Sequence, residues 1–275
     1  FTSNGEPLSH RFRDPHKEIG ILALEEPLPP GQRVTVRTPF RVKIPETFSR
    51  LGHNKQAYQI SQWYPKIAAY DEEGWHPMPY LNQGEYYNDF GRYEVSITLP
   101  SNYKVGATGR LQNSAEKQRL QQLSKDTREA MPFKQAGSQS IPASSDSMKT
   151  LTFEQENVHD FAWFADKRFR VLIDTVPLPG TARTVETYTF FLPQNQQAFQ
   201  QGPAYIRAAL QTLSGQVGPY SYETYTVVNG APGAGAGMEY PTITVVGSSN
   251  PETTIFHEVT HNWFQGELAF NERRY

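Results

Sequence analysis

The chain has 275 residues, a net charge of −2 at pH 7 and no cluster of Lys or Arg, which argues against nucleic acid as its main partner. It contains no cysteine, so disulfides and thiolate metal ligands are excluded, while the compartment is left open. No stretch approaches the roughly 18 consecutive apolar residues of a membrane-spanning helix, and the length suffices for two domains.

The first 176 residues are predicted to form a large antiparallel β domain. Apolar and polar residues alternate over residues 34–44 and again over residues 93–99, as in half-buried strands. Further strands are predicted at residues 58–64 and 171–176. The polar, charge-rich stretch at residues 114–131 predicts a helix exposed to solvent.

A second domain of mixed α and β structure is predicted after a joint at residues 177–180 (PLPG). It begins with a strand at residues 184–192, and two more strands are predicted at residues 225–228 and 242–246. Between them, apolar residues at helical spacing predict a helix that Gly202 and Pro203 begin or kink. Those apolar residues are Phe199, Ile206, Leu210, Leu213 and Val217.

A glycine-rich segment lies at residues 233–241 (GAGAGMEYP). It lacks the Lys and the following helix that phosphate-binding loops require. Its small residues instead leave the backbone bare, so that a ligand chain can approach closely, with Glu239 at the edge of a sheet. The alternative is a flexible hairpin loop with a solvated Glu239.

The segment HEVTH at residues 257–261 is the most informative of the chain. On a helix, His257 and His261 project from one face and can hold one metal ion, while Glu258 lies beside the metal as a general base. Asn250 as N-cap and Pro251 at the first position predict where this helix begins, and Gly266 is predicted as its C-cap.

The same helix is predicted to be a buried element. Apolar residues make up much of it: Ile255, Phe256, Val259, Trp263 and Phe264. The structural alternative to a metal site is therefore a core helix whose histidines are hydrogen-bonded to carbonyl groups.

Two motifs together resemble a known family. GMEY at residues 237–240, followed by HEVTHNWF at residues 257–264, is similar to the aminopeptidase N-like gluzincins, which are zinc metallopeptidases. Residues 61–71 (SQWYPKIAAYD) and 158–166 (VHDFAWFAD) resemble segments of that family's N-terminal β domain, particularly in bacterial members. The resemblance implies an N-terminal β-sandwich or saddle-like domain at 1–176 and the start of a thermolysin-like α/β catalytic domain at 177–275.

The resemblance also implies the roles of single residues. His257 and His261 are expected to bind one Zn²⁺, and Glu258 to act as the base. Glu239 is expected to bind the α-amine of the substrate, and the backbone of two residues to line the substrate chain. These two residues are Gly237 and Met238.

The chain departs from the family pattern at three places. Tyr240 replaces the usual Asn, and Tyr64 stands where many members have Glu or Gln. The third zinc ligand, a Glu, is expected at position 280, beyond Tyr275. The 275-residue piece alone is therefore expected to bind zinc weakly and to be inactive, with the remainder of the catalytic domain on the parent polypeptide or on another chain.

The predicted function is that of a zinc-dependent aminopeptidase acting on peptides with a free N-terminus. Two alternatives keep the metal site, namely an endopeptidase of the thermolysin type and an epoxide hydrolase. A third alternative is a non-catalytic scaffold with a vestigial peptidase domain.

Overall fold

The computed structural model describes residues 1–3, 5–46, 50–79, 87–133, 139–230, 236–272 and 274. The chain divides into two compact units. The first contains Phe1–Lys43, Tyr64–Asp89 and Phe270–Tyr275, and the second contains Ile44–Trp63 and Phe90–Ala269. The division at residues 176 and 177 stays a prediction.

The first unit is built from short antiparallel strands. One sheet has the order β2 (Glu6–Pro7), β1 (Thr2–Ser3), β5 (Val36–Arg37), and a hairpin joins β3 (Ser9–Phe12) to β4 (Gly20–Ala23). A second hairpin pairs β8 (Ala69–Asp71) with β9 (Gly74–His76).

The long strand predicted at residues 34–44 is wrong. Only Val36–Arg37 is a strand there, and it pairs with Thr2–Ser3. Val34, Phe40 and Val42 are exposed, so the alternating pattern has no partner surface on which to bury its apolar face.

The second unit contains two further antiparallel sheets. The first has the order β10 (Gly91–Pro100), β13 (Met148–Val158), β12 (Arg110–Leu111). The second has the order β11 (Lys104–Ala107), β14 (Trp163–Asp166), β7 (Ala57–Ile60), β6 (Gly52–Asn54). The predictions at residues 93–99 and 114–131 are confirmed, the latter as helix α1 (Ser114–Glu129). Strand β7 ends before residue 64, because Gln62 has a left-handed φ of 51°.

A five-stranded mixed sheet completes the second unit. In chain order its strands are β15 (Arg170–Pro177), β16 (Thr184–Phe191), β17 (Thr224–Asn229), β18 (Gly237–Tyr240) and β19 (Ile243–Val246). Across the sheet the order is β15-β16-β17-β19-β18. The three inner strands are parallel, and both outer strands are antiparallel to their neighbours. Among the described residues β18 is thus an edge strand.

Helices cover this sheet. A 3₁₀ turn (Pro193–Asn195) leads into α2 (Gln196–Phe199) and α3 (Gly202–Gln216), so the predicted helix is split and α3 begins at Gly202 as expected. The last helix, α4 (Pro251–His261), continues as a π-helical turn (Asn262–Glu267). Gly266 lies inside that turn rather than at the C-cap, which is Leu268, so its predicted role is wrong.

The core of the second unit lies under α4. Ile255, Val259 and Trp263 project into it and join buried side chains of α3 and the sheet. These partners include Ile206, Leu210, Leu213, Tyr220 and Tyr225. Burial of these rings and aliphatic chains fixes which face of α4 turns away from the core.

The antiparallel β region followed by a mixed α/β region confirms the predicted fold class. No helix in the described ranges combines the length and apolar character needed to cross a bilayer.

One glycine of the β region is expected to be critical for stability. Gly109 has a φ of +81°, and a Cβ there would press on the Glu154 carbonyl oxygen and lie 2.7 Å from Gln155 Cβ. Gly109→Ala should therefore lower the free energy of unfolding by about 3 kcal/mol or more, measured by chemical denaturation. Gly180→Ala is the matched control, because Gly180 has a φ of +69° with open space around it and should cost only about 1 kcal/mol. Equal losses would refute the steric argument.

Candidate metal centre

Helix α4 begins as the sequence predicts. Asn250 is the N-cap and Pro251 the first helical residue, with the acidic Glu252 in the first turn. The Asn250 side chain makes no capping hydrogen bond; its carbonyl instead accepts hydrogen bonds from the backbone N–H and hydroxyl of Thr254.

Only one side of α4 is buried, which corrects the prediction of a fully buried helix. Phe256 is 38% and Phe264 48% exposed. They line a groove of about 560 Å³ together with both histidines. His257 and His261 therefore line an open groove, whereas the core-helix alternative predicts that both are enclosed in the core.

The two imidazoles converge. His257 Nε2 and His261 Nε2 lie 3.2 Å apart, with ring planes at 86°. Two nitrogens bound to one tetrahedral zinc at 2.0–2.1 Å would be about 3.3 Å apart. The pair thus fits a shared zinc ion, and imidazoles beside carboxylates are a donor set that suits this metal.

Glu258 lies on the buried side of the pair. It is 3% exposed, and its Oε2 atom has no hydrogen-bond partner within the described part of the chain. Burial, and then the neighbouring Glu239 carboxylate, raises the pKa of Glu258 to about 8. A cation beside the two carboxylates would favour the ionised form of both.

Strand β18 brings Glu239 to the same place. Ligand atoms of Glu239, Glu258 and His261 all lie within 4.8 Å of one another. A Cβ on Gly237 would lie 2.6 Å from Cγ and Cδ of Glu258, so the bare backbone at Gly237 admits the Glu258 side chain.

The pairing of β18 decides which backbone groups face its unpaired edge. The Ala236 carbonyl accepts from Gly247 N–H, and the Met238 carbonyl accepts from Thr244 Oγ1, so both face β19. By strand alternation, the peptide groups of Gly237 and Glu239 face the edge. The predicted backbone contact of Met238 with a substrate therefore gains no support from this geometry, while that of Gly237 does.

The structure thus brings together four of the site residues expected from the sequence, His257, Glu258, His261 and Glu239, and it places Gly237 against Glu258. The backbone of Met238 faces β19 instead. The glycines at 233 and 235 lie outside the described residues. Tyr240, which replaces the family's Asn, is buried with its ring 6.1 Å from that of Phe164. Tyr64 belongs to the first unit.

Two neighbours of the site were missed by sequence reasoning. Tyr225 on β17 is fully buried, and burial followed by the charges of Glu258 and Glu239 raises its pKa well above the ordinary value. Asn262 directly follows the second histidine and is buried as well. The signal for Asn262 was a polar residue between His261 and the apolar Trp263, on the core side of the helix.

No protein-family model and no curated protein matches the chain. The crystal structure of the M1 zinc metallopeptidase from Deinococcus radiodurans is similar to it, with 18% identity and a TM-score of 0.60. A mutant of an M1 zinc metallopeptidase from that organism gives 17% identity and a TM-score of 0.62, and a mutant bound to a Tyr-Ser-Ala substrate gives 17% and 0.59. Each match covers 98% of this chain and 54% of the other chain.

The chain has the M1 zinc metallopeptidase fold.

This fold is the one that the two motifs implied. The chain spans about half the length of the M1 zinc metallopeptidases that it matches, at 54%. Within that half, α4 and β18 carry the two motifs GMEY and HEVTH.

Proposed function

We propose that the protein is a zinc-dependent aminopeptidase that removes N-terminal residues from peptides. One observation carries the proposal: two convergent imidazoles line a groove, and the ligand atoms of the buried Glu258 and of Glu239 on a sheet edge lie within 4.8 Å of that of His261. A similar M1 zinc metallopeptidase structure contains a Tyr-Ser-Ala substrate, which supports a peptide as the substrate here.

His257 and His261 would hold the zinc ion. When bound, zinc supplies Lewis-acid chemistry, in that it activates water at neutral pH and polarises a carbonyl group. His261 is half-buried and His257 exposed, so the metal would lie at the mouth of the groove, where a substrate can reach it.

Glu258 is the proposed general base. It takes a proton from the attacking water and delivers it to the leaving amine. Its seclusion from solvent favours this role, because a buried carboxylate is a stronger base than a hydrated one. Gly237 keeps the space in which its side chain lies.

Glu239 is the proposed anchor for the substrate's α-ammonium group. When Glu258 is ionised, its like charge makes a second carboxylate at this position electrostatically unfavourable until a cation arrives, and the substrate brings one. An anchored ammonium fixes which peptide bond reaches the metal, so cleavage occurs at the end of the chain.

Glu239→Ala is the test of the aminopeptidase assignment. In the protein at its natural full length, kcat/KM for peptides with a free amine should fall on the order of a hundredfold, because one partner of a desolvated charge pair is lost. The same peptides with an N-acetyl group should change less than about threefold. Initial rates on both substrate series measure the difference.

Glu223→Ala serves as the control, because this carboxylate is exposed and paired with Arg110 away from the groove. It should leave both rates unchanged. Equal loss on free and acetylated peptides in Glu239→Ala would mean that Glu239 does not recognise the terminus. A wild-type protein that cleaves acetylated peptides as well as free ones would favour the endopeptidase alternative.

A further inference from the structure

Asn262 occupies a distinctive position in the second unit. It is the first residue of the π-helical turn, directly after His261, and it is 2% exposed. Departures from α-helical geometry of this kind often occur at functional sites. A buried amide in a largely apolar core also needs hydrogen-bond partners to offset its desolvation.

The partners of Asn262 come from three elements. Its Oδ1 accepts a hydrogen bond from Thr242 N–H at 3.1 Å and a longer one from the Tyr220 hydroxyl at 3.5 Å. Its Nδ2 lies 3.4 Å from the carbonyl oxygens of Glu258 and Val259, one turn back on α4. The amide thus joins the helix to the connection between β18 and β19.

That connection is tightly held. Thr242 is fully buried and has a φ of 62°, a conformation that β-branched residues rarely adopt. Its hydroxyl accepts a hydrogen bond from Gly109 N–H at 2.7 Å. A strained residue persists only where its surroundings fix it, so the contacts of Thr242 determine where the turn lies.

The Thr242–Asn262 hydrogen bond lies close in sequence to both carboxylates. Thr242 is three residues after Glu239 along the hairpin, and Asn262 is four residues after Glu258 on the helix. When both carboxylates are ionised, as the proposed chemistry requires, they repel each other, so packing alone favours a wider separation. The directional Thr242–Asn262 hydrogen bond can oppose this separation, whereas apolar contacts alone would allow the turn to shift along α4.

We infer that Asn262 is a positioning residue, which sets the place of Glu239 beside Glu258 and the metal site by holding the β18–β19 turn against α4. The inference rests on the proposed function, because it assigns Asn262 to amine recognition by Glu239. Asn262 acts through its Oδ1 atom on the turn and touches neither substrate nor metal.

Two substitutions by side chains similar in size to Asn distinguish a positioning role of Asn262 from a role in packing alone. Asn262→Leu removes the hydrogen bonds while filling the same space, and it should raise KM for a free-amine substrate on the order of tenfold, with kcat changed less than about threefold. Asn262→Asp, which burial favours in its protonated form, keeps an acceptor for Thr242 N–H and one donor for the carbonyls of α4, and it should keep KM within about threefold of the wild type. Zinc content should be unchanged in both, since Asn262 is not one of the residues that would hold the metal.

Asn113→Leu is the matched control. Asn113 likewise accepts from one backbone N–H, that of Thr152, and donates to one carbonyl, that of Thr150, but it lies far along the chain from β18 and α4. It should leave KM and kcat unchanged. Steady-state kinetics and metal analysis of the protein at its natural full length supply all the readouts.

Three results would overturn the inference: an equal rise of KM in the Leu and Asp variants, an unchanged KM in Asn262→Leu, or loss of zinc or of the folded state in Asn262→Leu alone. The last result would assign Asn262 to stability instead. Failure of the proposed function is a separate outcome. It would appear in Glu239→Ala as an equal loss of kcat/KM on free-amine and N-acetylated peptides, whatever the Asn262 variants show.

Discussion

Glu258→Gln is expected to lower kcat on the order of a thousandfold while zinc stays bound. Glutamine has the size and shape of glutamate but cannot take a proton from water, and general-base catalysis typically contributes a factor of about 10²–10⁴. Glu258 is buried between the histidine pair and β18, where a neutral amide fits without a new unpaired charge. Turnover of an aminoacyl substrate and metal analysis of the same sample measure the two quantities.

Glu267→Gln is the control for this exchange. Glu267 ends the π-helical turn that continues α4, and it lies next to Tyr222, whose pKa it helps to raise to about 12 after burial. Its neutralisation should leave kcat unchanged. An unchanged kcat in Glu258→Gln would remove Glu258 from the mechanism, and loss of zinc in that variant would make it a ligand rather than a base.

His261→Ala is expected to lose both zinc and activity, whereas Glu258→Gln keeps its zinc. Binding of zinc by three or four protein ligands is worth about 10–16 kcal/mol in small zinc domains, so one ligand corresponds to roughly 100- to 1,000-fold in affinity. The convergence of His257 Nε2 and His261 Nε2 at 3.2 Å predicts the same result for His257→Ala. Competition with a chelator of known affinity measures the dissociation constant.

His53→Ala provides the control, because His53 bonds through Nδ1 to the Lys55 carbonyl and lies outside the groove. It should bind zinc as the wild type does. Wild-type zinc affinity in either His257→Ala or His261→Ala would contradict the shared-metal geometry, and the two rings would then be related only by a hydrogen bond to each other.

The histidine pair could be predicted from the sequence because it depends on local geometry alone. Residues four apart on a helix share a face, and the N-cap and proline at Asn250 and Pro251 show where that helix begins. The distance between His257 and His261 therefore needed no knowledge of the rest of the chain.

The meeting of the two carboxylates could not be worked out in the same way. It depends on the pairing of β18 with β19 and on the packing of that hairpin against α4, which are contacts between separate elements. The sequence pointed to Glu239 because it follows a glycine-rich segment and because that segment resembles a known family motif. The strand register that turns the peptide group of Gly237 toward the unpaired edge is visible only in the structure. Asn262 was missed for the same reason, since its main partner, Thr242, lies on another element.

Hydrophobic patterns predicted structure least reliably where the prediction required a second element to cover the apolar face. The alternation at residues 34–44 is regular, yet only Val36–Arg37 forms a strand in the described structure. Likewise the apolar Phe256 and Phe264 suggested burial, but α4 places them on the groove side. Hydrophobicity shows which residues gain by burial and does not show whether a neighbour is present.

The hydrogen bond from Gly109 to Thr242 spans 133 residues. Helix α4 is held by hydrogen bonds between residues close in sequence, whereas the hairpin that carries Glu239 is also held by this distant contact, whose closure costs chain entropy. The position of Glu239 in the proposed catalytic centre thus depends on a residue far away along the chain, in the β region.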